Sequence, residues 1–364
     1  YGNIVAIAES PLKEGLLFVG TDDGLVQVSE DRGKVWRRIE KYPGVPELSY
    51  VSRVTPSQHD VNTVYATFEN HKQGDFKPYV LKSTDLGRNW TTITENLPEN
   101  GPVWVLLEDH VNRNLLFAGT EFGVFFTNDG GKKWVQLKGG MPPICVKDLA
   151  IQKRENDLVV ATFGRGFYIL DDDSPLRVAD VAMLSGESAL LPARRAWAYI
   201  ESSPLGDPGK SQQGDGFFTA PNPPYGAVFT YYLRDELKNR KDARRELEKE
   251  IQNKGGDTFY PPWDILRTET REEDPAIVLT VTDEAGGVVR RMTAPVTGGF
   301  HRVAWDLRYP AANPTSLAKP AELSPWDRSP TGPLAAPGTY QVSLAQRVAG
   351  KVTPLAGPVE FSVD

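Results

Sequence analysis

One eight-residue phrase occurs three times in the first half of the 364-residue chain. Ser29-Glu30-Asp31-Arg32-Gly33-Lys34-Val35-Trp36, Ser83-Thr84-Asp85-Leu86-Gly87-Arg88-Asn89-Trp90 and Thr127-Asn128-Asp129-Gly130-Gly131-Lys132-Lys133-Trp134 all read Ser/Thr-x-Asp-x-Gly-x-x-Trp. A hydroxyl side chain and an Asp two places on hydrogen-bond the backbone of a tight turn, Gly accepts the positive φ such a turn demands, and Trp carries the next strand into a core. An Asp committed to its own turn cannot also serve a substrate. Asp31, Asp85 and Asp129, with Ser29, Gly33, Trp36, Ser83, Gly87, Trp90, Thr127, Gly131 and Trp134, are therefore read as turn-building residues and not as catalytic ones.

Each copy sits in the same frame of short β-rich runs, the mark of a repeat architecture. The phrase is the Asp-box of β-propellers, whose blades are antiparallel four-stranded sheets. In the first blade the alternation predicts strands over Asn3–Ala8, Leu16–Gly20, Leu25–Ser29 and Trp36–Ile39. Residues 51–93 and 103–137 repeat the pattern. Residues 146–170 supply three strands of a fourth blade, after which Asp171-Asp172-Asp173-Ser174-Pro175 replaces the box. Four blades over residues 1–178 make an incomplete ring. Its open flanks would leave strand edges and apolar faces in water. The remaining blades, to a total of roughly seven or more, are expected on a preceding segment or a second chain.

Past residue 178 the grammar changes. Residues 179–225 read as an irregular linker with short strands near Ala189–Leu191 and Ala196–Ile200, and with a Pro/Gly/Ser-rich loop, Ser202–Pro224, that Phe217-Phe218 would anchor. Residues 226–364 read as an Ig-like or fibronectin-like β-sandwich built from Ala227–Leu233, Ala276–Thr282, Val288–Thr293, Phe300–Leu307, Thr339–Gln346 and Val359–Val363, with Trp305 in its core. A helical insertion at 234–254 is dense in Lys, Arg and Glu, with Leu233, Leu237, Leu247 and Ile251 at helical spacing. The fold class is thus all-β, propeller blades followed by a sandwich.

Composition excludes several functions. A net charge of -7 with scattered basic residues argues against nucleic acid or an anionic membrane surface as partner. No run is apolar enough for a membrane span. Cys145 is the sole cysteine, so neither a disulfide framework nor a thiolate metal site is available, and His59, His71, His110 and His301 lie far apart. No cofactor or metal is required; Asp171, Asp172 and Asp173 read as a solvated turn, with a Ca²⁺ site as the alternative. The chain begins at Tyr1, without Met or signal peptide, and reads as a piece of a longer polypeptide.

In an up-and-down sheet successive hairpin loops alternate ends, so the loops between second and third strands face the mouth opposite the boxes. These are Thr21–Gly24, Glu69–Pro78, Thr120–Gly123 and Phe163–Gly166. They offer Asp22, Asp23, Glu69, His71, Asp75, Glu121, Phe122 and Arg165 as a polar ligand site. The same residues also read as plain hairpin closures, with Glu121 and Arg165 paired across neighbouring blades. Two functions follow. One is a binding or scaffold module for a peptide or glycan. The other is a glycoside hydrolase using Asp22 or Asp23 with Glu121, the latter as proton donor beside apolar Phe122.

The runs Ser10-Pro11-Leu12, Gly20-Thr21-Asp22-Asp23-Gly24, Val51-Ser52-Arg53, Asp75-Phe76-Lys77-Pro78-Tyr79, Gly119-Thr120-Glu121-Phe122-Gly123 and Thr162-Phe163-Gly164-Arg165-Gly166-Phe167-Tyr168-Ile169-Leu170-Asp171-Asp172 resemble the C-terminal part of large bacterial sortilin-like (VPS10-type) BNR-repeat proteins. That resemblance implies an exported protein, secreted, periplasmic or on the cell surface, of a group often labelled glycosyl hydrolase. It does not carry over a sorting-receptor role, which uses a cysteine-rich module and a membrane helix. It carries over no sialidase chemistry either, since of an arginine triad only Arg53 and Arg165 are suitably placed.

Overall fold

The computed structural model describes residues 2–200, 216, 218, 220–312 and 330–364. The chain is mostly β and divides into two compact units, Tyr1–Asp180 and Val181–Asp364. The loop expected over Ser202–Pro224 falls largely outside the described residues.

Unit 1 is a succession of antiparallel sheets. The first holds β1 (Ile4–Glu9), β2 (Leu17–Thr21), β3 (Val26–Ser29) and β4 (Arg37–Ile39). The second holds β5 (Tyr50–Pro56), β6 (Val64–Asn70), β7 (Asp75–Ser83) and β8 (Thr91–Thr92). The third holds β9 (Val103–Glu108), β10 (Leu116–Thr120), β11 (Gly123–Thr127) and β12 (Val135–Gln136). The last has three strands, β13 (Val146–Gln152), β14 (Asp157–Thr162) and β15 (Phe167–Leu170). These are propeller-like blades.

The turns between third and fourth strands explain why the phrase repeats. Asp31 accepts from the amides of Lys34 and Val35 and from the Ser29 hydroxyl, while Ser29 accepts from the Gly33 amide. Asp85 with Ser83, and Asp129 with Thr127, repeat this pattern. The indole N–H of Trp36 and Trp90 donates to the carbonyl of Gly33 and Gly87, each at 3.0 Å. Trp134 donates instead to Ile93 across to the second sheet. Trp36 and Trp90 thus close their own turns, and none of the three tryptophans joins the ladder, which makes the fourth strands shorter than the alternation predicts. Trp90 and Trp134 are buried, whereas Trp36 is 38% exposed, contrary to the expectation that every box Trp enters a core. Trp90 packs in the cluster that contains Val28 of the first sheet. The first sheet offers Trp36 no preceding sheet to pack on.

The sheets pack in one repeating register. Ile4, Val51, Val103 and Val146 occupy equivalent ladder positions, as do Ile7, Val54, Leu106 and Leu149. In the second to last sheets these residues are buried against the sheet before. A side chain at Gly20 would strike Val51 Cγ1 at 2.4 Å, and one at Gly119 would strike Val146 Cγ1 at 2.7 Å, so glycine is what allows the approach. The second and third sheets are further tied by Glu108, whose buried carboxylate accepts from the Ser57 hydroxyl, the Gln58 amide and the Tyr65 hydroxyl.

The acidic run after β15 is not a solvated turn. Asp172 and Asp173 are buried, because the following 3₁₀ turn Ser174–Arg177 folds the Arg177 guanidinium onto Asp109 in a bidentate pair. No group of His, Cys, Asp and Glu among the described residues is arranged to hold a metal ion. Asp173 Oδ1 takes only a 3.4 Å bond from Arg177, and its Oδ2 is buried without a hydrogen-bond partner. Burial, then the neighbouring Asp109 charge, pushes the Asp173 carboxyl up to about 7 against the pull of Arg177. A raised carboxyl means the folded state binds the proton more tightly than the unfolded chain. Its contribution to stability is therefore full below about pH 4 and lost as pH rises towards 7. Asp173→Asn is expected to flatten this pH dependence and to raise stability at pH 8 by about 1–3 kcal/mol. Urea melts at pH 5 and pH 8 check it.

Unit 2 holds two antiparallel sheets. One is β16 (Ser188–Leu190), β17 (Ala227–Leu233) and β20 (Gly299–Trp305); the other is β18 (Ala276–Asp283), β19 (Val288–Ala294), β21 (Gly338–Val348) and β22 (Lys351–Val363), in the order β19-β18-β21-β22. Phe229, Tyr231 and Trp305 from the first share a core with Leu279, Val342 and Phe361 from the second. β22 is longer than the alternation predicts. It is an edge strand, where Pro354 and Pro358 cost no ladder bond. The strand expected over Ala196–Ile200 is a single bridge from Ala196 to Val363. Of the helices, α1 (Val181–Ser185) and α3 (Trp263–Arg271) have no counterpart in the sequence reading, while α2 (Arg240–Asn253) starts later than expected because the Asn239 side chain caps it on Asp242. Leu233 belongs to β17 and Leu237 packs on the core, so neither is part of that helix. None of the helices among the described residues is long and apolar enough to cross a membrane.

Candidate functional site

Every first strand in unit 1 carries a register irregularity near the mouth end. The skipped residues are Val5, Ser52, Trp104 and Lys147. A bulge re-aims the side chain it carries. In the third and last sheets those side chains, Trp104 and Lys147, line a cavity of about 480 Å³ together with His71, Phe76, Asn100, Pro102, Glu121, Phe122, Cys145 and Phe163.

Trp104 is the hub. Its indole N–H donates to Glu121 Oε2 at 3.1 Å, the Lys147 ammonium lies 3.0 Å from its ring centroid, and the His71 ring lies 5.6 Å from it. The Phe163 ring is 5.9 Å from the same ammonium. His71 sits in the 3₁₀ turn His71–Gln73, and its Nδ1 pairs with the buried Glu69 carboxylate, which also accepts the His71 amide at 3.1 Å. Glu121 is held in its turn by its own amide, which donates to the Pro102 carbonyl at 3.1 Å. Phe122 donates its amide to the Thr120 hydroxyl at 3.2 Å, in a hairpin that Gly123, at φ 123°, allows to close. Burial pushes the Cys145 thiol up to about 11, so at neutral pH it is a protonated thiol and not a nucleophile.

The other expected site residues divide. Glu121, His71 and Phe122 line this cavity. Asp22 and Glu69 line a separate cavity of about 290 Å³ with Leu48, Tyr50, Asn70, Lys72 and Gln73. Asp22 is spent on local structure: its carboxylate accepts the Gly2 and Asn3 amides and the Asn3 side chain, and that side-chain bond foremost holds it below the usual carboxylate range. Asp23 accepts from the Thr21 hydroxyl. Asp75 accepts from the Tyr79 hydroxyl and the Lys77 amide. Arg165 is exposed and forms no ion pair with Glu121 among the described residues. Trp104, Lys147, Asn100, Phe76 and Phe163 escaped the sequence reading. For Trp104 and Lys147 a faint signal is present in the aligned pairs Val51-Ser52, Val103-Trp104 and Val146-Lys147, while Phe76 and Phe163 lie on loops expected at the mouth.

No family model and no curated protein matches this chain. Solved structures do, and those that follow are β-propeller proteins. YCF48 bound to D1 peptide is 16% identical, with 46% of this chain and 51% of that one covered and a TM-score of 0.36. An ancestral GH74 enzyme is 18% identical, with 64% and 31% covered and a TM-score of 0.38. PorZ, a bacterial surface component of the type-IX secretion system of Porphyromonas gingivalis, is 16% identical, with 100% and 45% covered and a TM-score of 0.36. The chain spans about half or less of each of these structures.

Proposed function

We propose that this chain is part of an exported propeller protein that acts as a binding and scaffold module, taking a peptide or glycan in the Trp104 cavity. An Ig-like sandwich in residues 226–364 would brace it, and another segment or chain would complete the ring. The observation that carries the reading is the make-up of the cavity. Four aromatic side chains, Phe76, Trp104, Phe122 and Phe163, surround a few fixed polar groups, the composition of a recognition pocket. The alternative, a glycoside hydrolase, needs two carboxylates flanking one bond. Glu121 is the carboxylate lining this cavity, whereas Asp22 lines the other. Glu121 is further engaged by the Trp104 indole.

The test is titration of the chain against peptide and glycan arrays, followed by turnover assays on the hits. Trp104→Ala is expected to weaken binding about 30-fold, since a central Trp is the usual anchor of such a pocket. Glu121→Gln is expected to change affinity without abolishing any turnover. Hydrolysis of a hit by the parent, lost in Glu121→Gln, would overturn the binding reading in favour of the enzyme.

A further inference from the structure

Three charged or chargeable side chains, His71, Glu121 and Lys147, line the Trp104 cavity, and two of them are engaged by protein partners. His71 Nδ1 pairs with Glu69, and Glu121 Oε2 accepts the Trp104 indole N–H at 3.1 Å. Lys147 is the third. Its ammonium lies 3.0 Å from the Trp104 ring centroid and 5.9 Å from that of Phe163, close to the protonated Cys145 thiol. A ring face and a thiol are weak partners for a group with three donors and a full charge. Asp148, the next residue in the strand, is spent on Arg53, and Lys147 itself forms no ion pair among the described residues. The strongest bond open to this ammonium is therefore one to an anionic oxygen of a ligand. The same placement bears on what that ligand is. The ammonium covers one face of Trp104, so that face is not open for a sugar ring to stack on. Asn100 offers an amide that both donates and accepts, as a peptide group does, and Phe76, Phe122 and Phe163 supply apolar walls.

We infer that the cavity takes a peptide by a carboxylate, with Lys147 as the group that binds it and the phenylalanines holding the apolar residue beside it. This deepens the binding reading above and rests on it. The carboxylate comes from the peptide's C-terminus or from an Asp or Glu side chain, two sources of one chemistry. Glu121 lines the same cavity, and its charge opposes such a ligand. Lys147 and Glu121 therefore act on an acidic peptide with opposite signs and leave a neutral one nearly untouched. Packing alone would not produce that pattern.

Titration calorimetry of the 364-residue chain tests this with three probes. One is an N-acetylated tripeptide of apolar residues with a free C-terminal carboxylate, the second is its C-terminal amide, and the third is that amide with a glutamate at its centre. The first or the third is expected to bind about 10-fold or more tightly than the neutral amide, which also tells the two sources apart. Lys147→Gln, at an exposed position whose replacement leaves the fold intact by circular dichroism, should remove that preference. Glu121→Gln should widen it by about 3-fold, and added salt should narrow it. Equal binding of acids and amide overturns the inference, as does a preference that Lys147→Gln leaves intact. In both cases a loss of affinity in Trp104→Ala would still uphold the cavity as the recognition site, so the two readings fail separately. Failure of both acids to bind at about 1 mM also overturns it, as does a uronic-acid oligosaccharide that binds in their place.

Discussion

Trp305→Ala should cost unit 2 about 3–5 kcal/mol, the usual range for truncating a fully buried Trp. Its ring is completely buried, with the Tyr340 and Phe361 rings at 5.4 and 6.2 Å, and its indole N–H donates to the Arg308 carbonyl at 3.0 Å. The substitution removes the largest side chain where the two sheets meet and leaves a carbonyl unpaired. Gly226 packs against the Trp305 backbone, where a Cβ would lie 1.9 Å from the carbonyl oxygen. Trp305→Phe should cost less, about 1–3 kcal/mol, because it keeps an aromatic body and loses the hydrogen bond. Equilibrium urea unfolding followed by near-ultraviolet circular dichroism measures both. A cost below about 1 kcal/mol for the Ala variant would mean that the shared core does not hold the two sheets together.

Glu108→Ala should be comparably severe in unit 1, at about 3–5 kcal/mol, by a different route. The Ser57 hydroxyl, Gln58 amide and Tyr65 hydroxyl all donate to this one carboxylate, at 2.8, 2.6 and 3.0 Å. Removing it strands three donors in a dry joint, each at the price of its desolvation. Tyr65→Phe removes one donor and its bond together and should cost only about 0.5–1.5 kcal/mol. Neighbouring sheets in this array therefore adhere through apolar register and through a polar bolt. Losing the bolt should lower the unfolding midpoint while leaving the denaturant slope unchanged.

How far the sequence discloses this molecule depends on the range of the interaction. The box turns are local: Ser29, Asp31 and Gly33 satisfy one another within a few residues, so their spacing alone announces them. Strand alternation is nearly as local and places the blades. The mouth is different. Trp104 and Lys147 reach the cavity because a bulge turns them there, and a bulge is a relation between two strands that one strand's residues do not spell out. Asp173 shows the same limit. Three consecutive aspartates suggest solvent, and only the return of Arg177 onto Asp109 explains the burial of Asp172 and Asp173. α3 is not legible in the sequence because Pro261-Pro262 and the aromatic Phe259, Tyr260 and Trp263 resemble a loop, although proline just ahead of a first turn is compatible with helix.

The claim on which the functional account stands is that recognition happens at the bulged mouth and not at the Asp-Gly-Trp turns. Indole N–H resonances of a ¹⁵N-labelled chain, followed while array hits are titrated in, report on it directly. The account predicts that the Trp104 resonance moves with each ligand while those of Trp36, Trp90 and Trp134 stay still, and that Trp104→Ala weakens the binding about 30-fold. Movement confined to Trp36, Trp90 and Trp134, with Trp104 silent, would contradict it.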